Sequence, residues 1–305
     1  MTKRVRRIII VILCLILLGG LIGLLYSPFA DWYNNQHKAE IQSEFSEAIE
    51  NIDNSELNAE KQAAIQYNDD LFHQTTKLFD PYKKGYSRLL NVTGNGIMGI
   101  IRIPCIDVSL PIYHDVTDAV LARGVGHLPQ TSLPIGGENT HAALSAHSGL
   151  ASSSLFSELE RVLIGDYFYI DVLGETLTYQ VDQINVVLPE ESKLLRVEEG
   201  RDLVTLITCT PYSVNTHRLL VRGTRVFPEE GNSDVTNTVP EENRGMSVRT
   251  KHYILGIAIG CILGAFLVFI CAIVVIIWSK RRKNAKDSNG KTVPPQTIDP
   301  VTHKI

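Results

Sequence analysis

Two uncharged apolar runs, one near each end, constrain this 305-residue chain more than any other feature. Residues 8–25 read IIIVILCLILLGGLIGLL, and Ile254 to Trp278 reads ILGIAIGCILGAFLVFICAIVVIIW. Crossing the hydrocarbon core of a bilayer takes roughly 20 apolar residues, so each run predicts a transmembrane helix, the second ending in an interfacial tryptophan. The first run also admits a signal-peptide reading, with KRVRR as its positive n-region. Against that stand the length of the run and the lack of a clear small-residue cleavage site in YSPFADWYNN, so an uncleaved anchor is the reading adopted. Lys3, Arg4, Arg6 and Arg7 precede the first run, and Lys280, Arg281, Arg282, Lys283 and Lys286 follow the second. The positive-inside rule then puts both termini in the cytoplasm and everything between the runs on the extracellular face of the cell membrane. Arg244, Arg249 and Lys251 weaken this asymmetry without reversing it.

A formal net charge of −4 offers no electrostatic footprint for nucleic acid. Cys14, Cys261 and Cys271 fall within the apolar runs, where a small apolar side chain is ordinary. Cys105 and Cys209 alone lie between them. On an oxidising cell surface they are either a disulfide pair or two free thiols, and sequence does not give the separation that decides.

The pattern divides the chain into seven parts: a cytoplasmic N-terminus (1–7), the first span (8–25), a helical segment (26–96), a strand-rich domain (97–228), a stalk (229–252), the second span (253–278) and a disordered basic tail (279–305). In the helical segment, apolar residues such as Ile49, Ile52, Ala64 and Leu71 recur at helical intervals and predict one or two helices, with Asn58 as an N-cap. Asp80-Pro81-Tyr82 breaks that pattern, and KKGYSRLLNVTGNG reads as a loop. Beyond it, IMGIIRI and VSLPIYH flank a turn, DYFYIDVLGETLTYQV is a hairpin about Gly174-Glu175, and LVTLITC and RLLVRGTRVF are two more strands. Short helices are expected at DAVLARGVG and SSSLFSELERV. Several short strands with turn chemistry between them predict a closed or nearly closed β-barrel.

Within that barrel, Cys209 ends an apolar strand, TLITC, and the turn TPYSVNTH brings the next strand back beside it. Arg218, Leu220 and Arg222 share one face of the returning strand. Arg218 thus crosses from Cys209 and carries a permanent charge. A cysteine nucleophile also needs an acid/base group, and His147, in HAALSAHSGL, ends another apolar run followed by small residues. His141 and His217 are rivals, and alternation puts His217 on the face opposite Arg218. A buried structural thiol is the bland reading of Cys209. A metal shared by His141 and His147 lacks a supporting carboxylate or cysteine cluster, so no metal or other cofactor is expected.

The stretch TLITCTPYSVNTHRLLVRGTR closely resembles the signature of sortases, the cysteine transpeptidases of Gram-positive cell surfaces, whose pattern is T-L-x-T-C with an arginine on the next strand. It is most similar to class C, the pilus-building sortases, and the resemblance runs from about Tyr67 to Val226. It implies an eight-stranded sortase-type β-barrel, mostly β with short helices, with Cys209 as nucleophile, His147 as general acid/base and Arg218 as stabiliser of substrate and oxyanion. Two membrane spans also fit class C. Asp80, Pro81 and Tyr82 match the place of the class C lid, with Asp80 expected at the positive part of the site and the Tyr82 ring over Cys209. An ordinary Asp-Pro turn is the other reading. The implied partners are pilin subunits bearing LPxTG-like sorting signals, joined through an acyl-enzyme to a lysine amine. A housekeeping sortase attaching proteins to the cell wall, a hydrolytic cysteine protease and a non-catalytic surface binding module are the alternatives. Ser148 stands where the family commonly has arginine, Ser213 where it has glycine, and Tyr82 where it has Phe or Trp.

Overall fold

The computed structural model describes residues 40–73, 80–148, 155–212 and 214–227, with a scatter of helical positions near the two ends. The expected spans, stalk and tail fall outside these residues apart from that scatter, and among the described residues no helix is long and apolar enough to cross a membrane. The chain divides into two compact units, Met1–Val248 and Arg249–Ile305, and all the strands lie in the first.

Strands β1 (Ile97–Ile103), β2 (Val108–His114), β3 (Val125–His127), β4 (Thr140–Ser145), β5 (Tyr167–Val172), β6 (Glu175–Val187), β7 (Asp202–Thr210) and β8 (His217–Val226) form a closed barrel. The order around it is β1-β2-β3-β4-β7-β8-β6-β5, which leaves no open sheet edge. Alternation along β5 sends Phe168, Ile170 and Val172 inward, where they meet Ile101, Leu144, Leu206 and Val221 in one apolar core. The β5–β6 hairpin turns on Leu173 and Gly174, both at positive φ, as a two-residue primed turn requires. Gly223 in β8 lies against the Phe168 ring, where an added Cβ would come within 2.5 Å. The barrel is therefore closed over Phe168 by a residue with no side chain.

Two helices precede the barrel, over residues 40–50 (α1) and Asn54–His73 (α2). Helix α2 starts at Asn54, so Asn58 is an interior residue and not the expected N-cap; Asp53 lends its carbonyl to the N–H groups of Glu56 and Leu57 instead. Its buried face, Ala64, Tyr67, Asn68 and Leu71, follows the helical period. Asn68 exchanges two hydrogen bonds with the Leu133 backbone, at 3.2 and 2.7 Å, and the Tyr67 hydroxyl donates to the Pro129 carbonyl at 2.8 Å. Phe45 and Ile49 of α1 pack on Ile97, Ile100 and Tyr113.

The expected helix at DAVLARGVG is only half realised. Asp118–Leu121 (α3) is helical, capped by the Thr117 hydroxyl, whereas Val125–His127 is drawn into the sheet as β3, parallel to β2. In SSSLFSELERV, the described part has one 3-10 turn at Leu159–Arg161. The loop after Asp80 contains another, Tyr86–Arg88, with Tyr86 fully buried.

Candidate active site

Cys209 is the penultimate residue of β7, half-buried, and its partner in the antiparallel ladder with β8 is Arg218. On the other side β7 runs parallel to β4, in a register that pairs Thr140 with Asp202 and Ser145 with Ile207. Beyond the last pair, the Ala146 N–H donates to the Ile207 carbonyl at 3.1 Å and the Ser148 hydroxyl to the Cys209 carbonyl at 2.7 Å, which keeps His147 beside Cys209. The three residues thus stand in one row across β4, β7 and β8. Cys105 and Cys209 are both free thiols, which settles the disulfide question for the described residues.

The row lies on the outer surface of the barrel. Val204 and Leu206 point into the core, so Thr205, Ile207 and Cys209 face outward. Below Cys209 on that face, Ile207, Ala143 and Leu220 form an apolar floor, flanked by Leu128, Val187 and Leu195. Arg218 donates from Nη1 to the carbonyls of Asn215 and His217 at 3.2 and 3.1 Å, so its guanidinium is held by its own turn. Thr210, next after the thiol, donates to Glu160 at 2.5 Å.

The rival histidines are engaged elsewhere. His141 is fully buried six residues before His147, its Nδ1 2.8 Å from the Arg196 carbonyl and its Nε2 2.7 Å from the Thr205 hydroxyl. Burial pushes its pKa down. At ~3.3 Å per residue the two histidines are about 20 Å apart along the strand, too far to share a metal. His217 pairs with Thr210, and its Nδ1 lies 2.9 Å from the Thr216 hydroxyl. Arg222, on the Cys209 face of β8, is taken up by Asp182 and Glu198, which also hold Arg201. Those contacts and the His141–Arg196 bond pin the β6–β7 connection beside the apolar floor.

The structure does not place Asp80-Pro81-Tyr82 as the resemblance implied. Asp80 accepts the N–H groups of Tyr82 and Lys83 at 3.2 and 3.4 Å and pairs with Lys83, a self-contained Asx turn. Tyr82 is exposed, donates its hydroxyl to Asp115, and packs edge-to-face with the Tyr86 ring. That carboxylate lifts the phenol to about 12. Asp115 follows β2 and is level with Leu128, whose N–H bonds Ala143, the partner of Thr205. This is four residues below Cys209, ~13 Å along the strands, and three strands away. Between Tyr82 and the β6–β7 connection opens a groove of about 1060 Å³, bounded by Pro81, Asp115, Leu128, Leu195 and Arg196.

Residues 101–226 match the family model of the sortase domain. A solved structure described as sortase C1 of GBS pilus island 1 is 44% identical, with a TM-score of 0.60 over 66% of this chain and 97% of that one. A lid mutant of Streptococcus agalactiae sortase C1 is 44% identical, with a TM-score of 0.56 over 60% of this chain and 95% of the other. This chain belongs to the sortase family. Its solved neighbours are class C sortases, and the family are cysteine transpeptidases. Sortase A of Streptococcus agalactiae serotype III (strain NEM316) is 33% identical over 128 residues, 41% of this chain and 51% of that protein, so the chain spans about half the length of that relative.

Two groups of site residues in this sortase escaped the sequence. The hydroxyls of Thr208 and Ser148 tie the histidine segment to β7, at 2.9 Å to the Ala146 carbonyl and 2.7 Å to the Cys209 carbonyl. Thr208 is one of three threonines in β7, so its sequence surroundings did not single it out. The apolar floor is flanked by Leu128 from the β3–β4 connection, Val187 from the end of β6 and Leu195 from the β6–β7 connection, and nothing in their local sequence marks them as neighbours.

Proposed function

We propose that this sortase is a membrane-tethered transpeptidase that cleaves an LPxTG-like sorting signal and passes the acyl group to a lysine amine of another pilin subunit. The observation that carries the reading is the single row of His147, Cys209 and Arg218. The Cys209 thiolate attacks the Thr–Gly carbonyl, and the developing oxyanion is met by Arg218. His147 gives its proton to the departing glycine amine as the C–N bond breaks, leaving a thioester. The incoming amine then attacks that thioester, its proton passes to His147, and the thiolate leaves with an amide formed. The apolar floor of Ala143, Ile207 and Leu220 lies along the same face and suits the leucine and proline of the signal. Pilin polymerisation, and not cell-wall anchoring, is favoured by the class C likeness and by the relative whose description places it in a pilus island.

The apolar runs at 8–25 and 253–278, with their flanking basic residues, favour anchoring at both ends with the barrel outside the cell. Asp80-Pro81-Tyr82 is assigned as a movable lid, described here in a parked position against Asp115. The sequence position and the existence of a lid mutant in a neighbour support that assignment.

Intact-mass spectrometry of the full-length protein with an LPxTG peptide tests the chemistry. A peptide-acyl adduct is expected on the parent, none on Cys209→Ala, and at least a hundredfold less on Arg218→Ala, a loss on the order of that for an oxyanion donor. Near-normal adduct on Arg218→Ala would remove that residue from the mechanism. Adding a pilin-like lysine peptide should convert the adduct to an amide product; free acid alone would mean hydrolysis.

A further inference from the structure

We infer that Ser148 is a positioning residue of the acyl-transfer site, one of two hydroxyl tethers that hold His147 level with Cys209. The inference deepens the function proposed above and rests on it. Regular pairing of β4 with β7 ends at Ser145 and Ile207, so the ladder itself does not fix the three residues that follow. They are tied down one at a time. The Ala146 N–H donates to the Ile207 carbonyl and the His147 carbonyl accepts from the Phe156 N–H, both at 3.1 Å; these are backbone bonds open to almost any residue at those positions.

The other two ties are chemically specific. Thr208 Oγ1 donates to the Ala146 carbonyl at 2.9 Å, and Ser148 Oγ donates to the Cys209 carbonyl at 2.7 Å. The first runs from the residue before the nucleophile to the residue before the histidine. The second returns from the residue after the histidine to the nucleophile itself. Together they bracket the reacting pair and use no atom of either reacting side chain. A serine hydroxyl sits one carbon from the backbone, so its bond fixes the spacing of the two main chains more tightly than a long side chain does. Thr208 is buried, and breaking its tether strands a hydroxyl away from water. Ser148 is half-buried, so its removal tests position with little cost to the fold.

Full-length parent, Ser148→Ala, Ser148→Thr and Thr208→Val are compared in two assays. One is the rate of thioester formation with an LPxTG peptide; the other is the pH profile of Cys209 alkylation by iodoacetamide. Ser148→Ala is expected to slow acylation about tenfold, as one lost hydrogen bond predicts, with KM little changed. It should also displace the alkylation profile along the pH axis while the thermal midpoint stays within a few degrees. Ser148→Thr keeps the hydroxyl and should recover both rate and profile. Thr208→Val should shift the profile in the same direction, with some loss of stability. A Ser148→Ala variant matching the parent in rate and profile would overturn the inference, as would Ser148→Ala and Ser148→Thr being equally slow. A parent that forms no thioester while the Ser148→Ala profile still shifts would sink the proposed function and leave the tether standing.

Discussion

Single residues on this barrel divide into those whose place follows from their own strand and those placed by distant contacts. Cys209 and Arg218 belong to the first kind: a short connection between two strands fixes their pairing, and the pairing is legible in TCTPYSVNTHR. His127 belongs to the second. Its sequence surroundings, GVGHLP, gave no hint of a fully buried histidine whose Nε2 lies 2.8 Å from the Ser132 carbonyl and whose Nδ1 lies 3.0 Å from the Tyr86 hydroxyl. Burial pushes its pKa down from 6.5 to about 4. Between those values the unfolded chain binds a proton that the folded chain refuses, so stability rises with pH across that window. The contribution is complete above about pH 6.5 and is lost as the pH falls to about 4, on the order of 3 kcal/mol in all. Urea midpoints measured at intervals from pH 7 to 4 should therefore fall in the parent and fall much less in His127→Gln. Parallel curves for the two proteins would refute the assignment.

Elements show the same division on a larger scale. Strands β1, β2, β5, β7 and β8 lie where apolar β-rich runs and turn residues predict them, because each contributes side chains to a common core; β1 and β7 are buried on their outer faces as well. Strand β3 does not: three residues carry no periodicity, and Val125–His127 is a strand only because β2 and β4 flank it with free backbone groups. The Asp80-Pro81-Tyr82 turn is a third case, where local sequence fixes the turn but not where it docks. Its tyrosine supplies a hydroxyl that phenylalanine or tryptophan lacks there, and that hydroxyl goes to Asp115. If this contact holds the turn away from Cys209, two substitutions should act in opposite directions. Tyr82→Phe keeps a ring able to cover the thiol and loses the parking bond, so Cys209 alkylation should slow several-fold, in line with about 1 kcal/mol for an exposed hydrogen bond. Tyr82→Ala loses the cover as well and should alkylate at least as fast as the parent. Equal rates in all three proteins would show that the turn does not guard the site.

The barrel carries α2 against its side, through buried Ala64, Tyr67 and Leu71 and a few specific hydrogen bonds. Asn68 is 4% exposed and satisfies both the N–H and the carbonyl of Leu133. Asn68→Ala strands the buried Leu133 N–H, while the Leu133 carbonyl keeps the Ile135 N–H at 2.8 Å, so a loss of about 1–3 kcal/mol in chemical denaturation is expected. A loss under 0.5 kcal/mol would mean that α2 does not depend on this contact. At this scale the separate contributions of sequence and tertiary structure are clear. The sequence determined what local physics can dictate: where most of the strands lie, through apolar β-rich runs and turn residues, and that Cys209 faces Arg218, through a short turn. It also carried the family resemblance that named the nucleophile. Residue type alone did not separate His141, His147 and His217; it was the resemblance that pointed to His147. The parallel pairing of β4 with β7 buries His141, and the bonds that follow it, from the Ala146 N–H and the Ser148 hydroxyl, keep the His147 segment beside Cys209. Register between strands some sixty residues apart is set by how their side chains fill one shared core, and no local pattern encodes that.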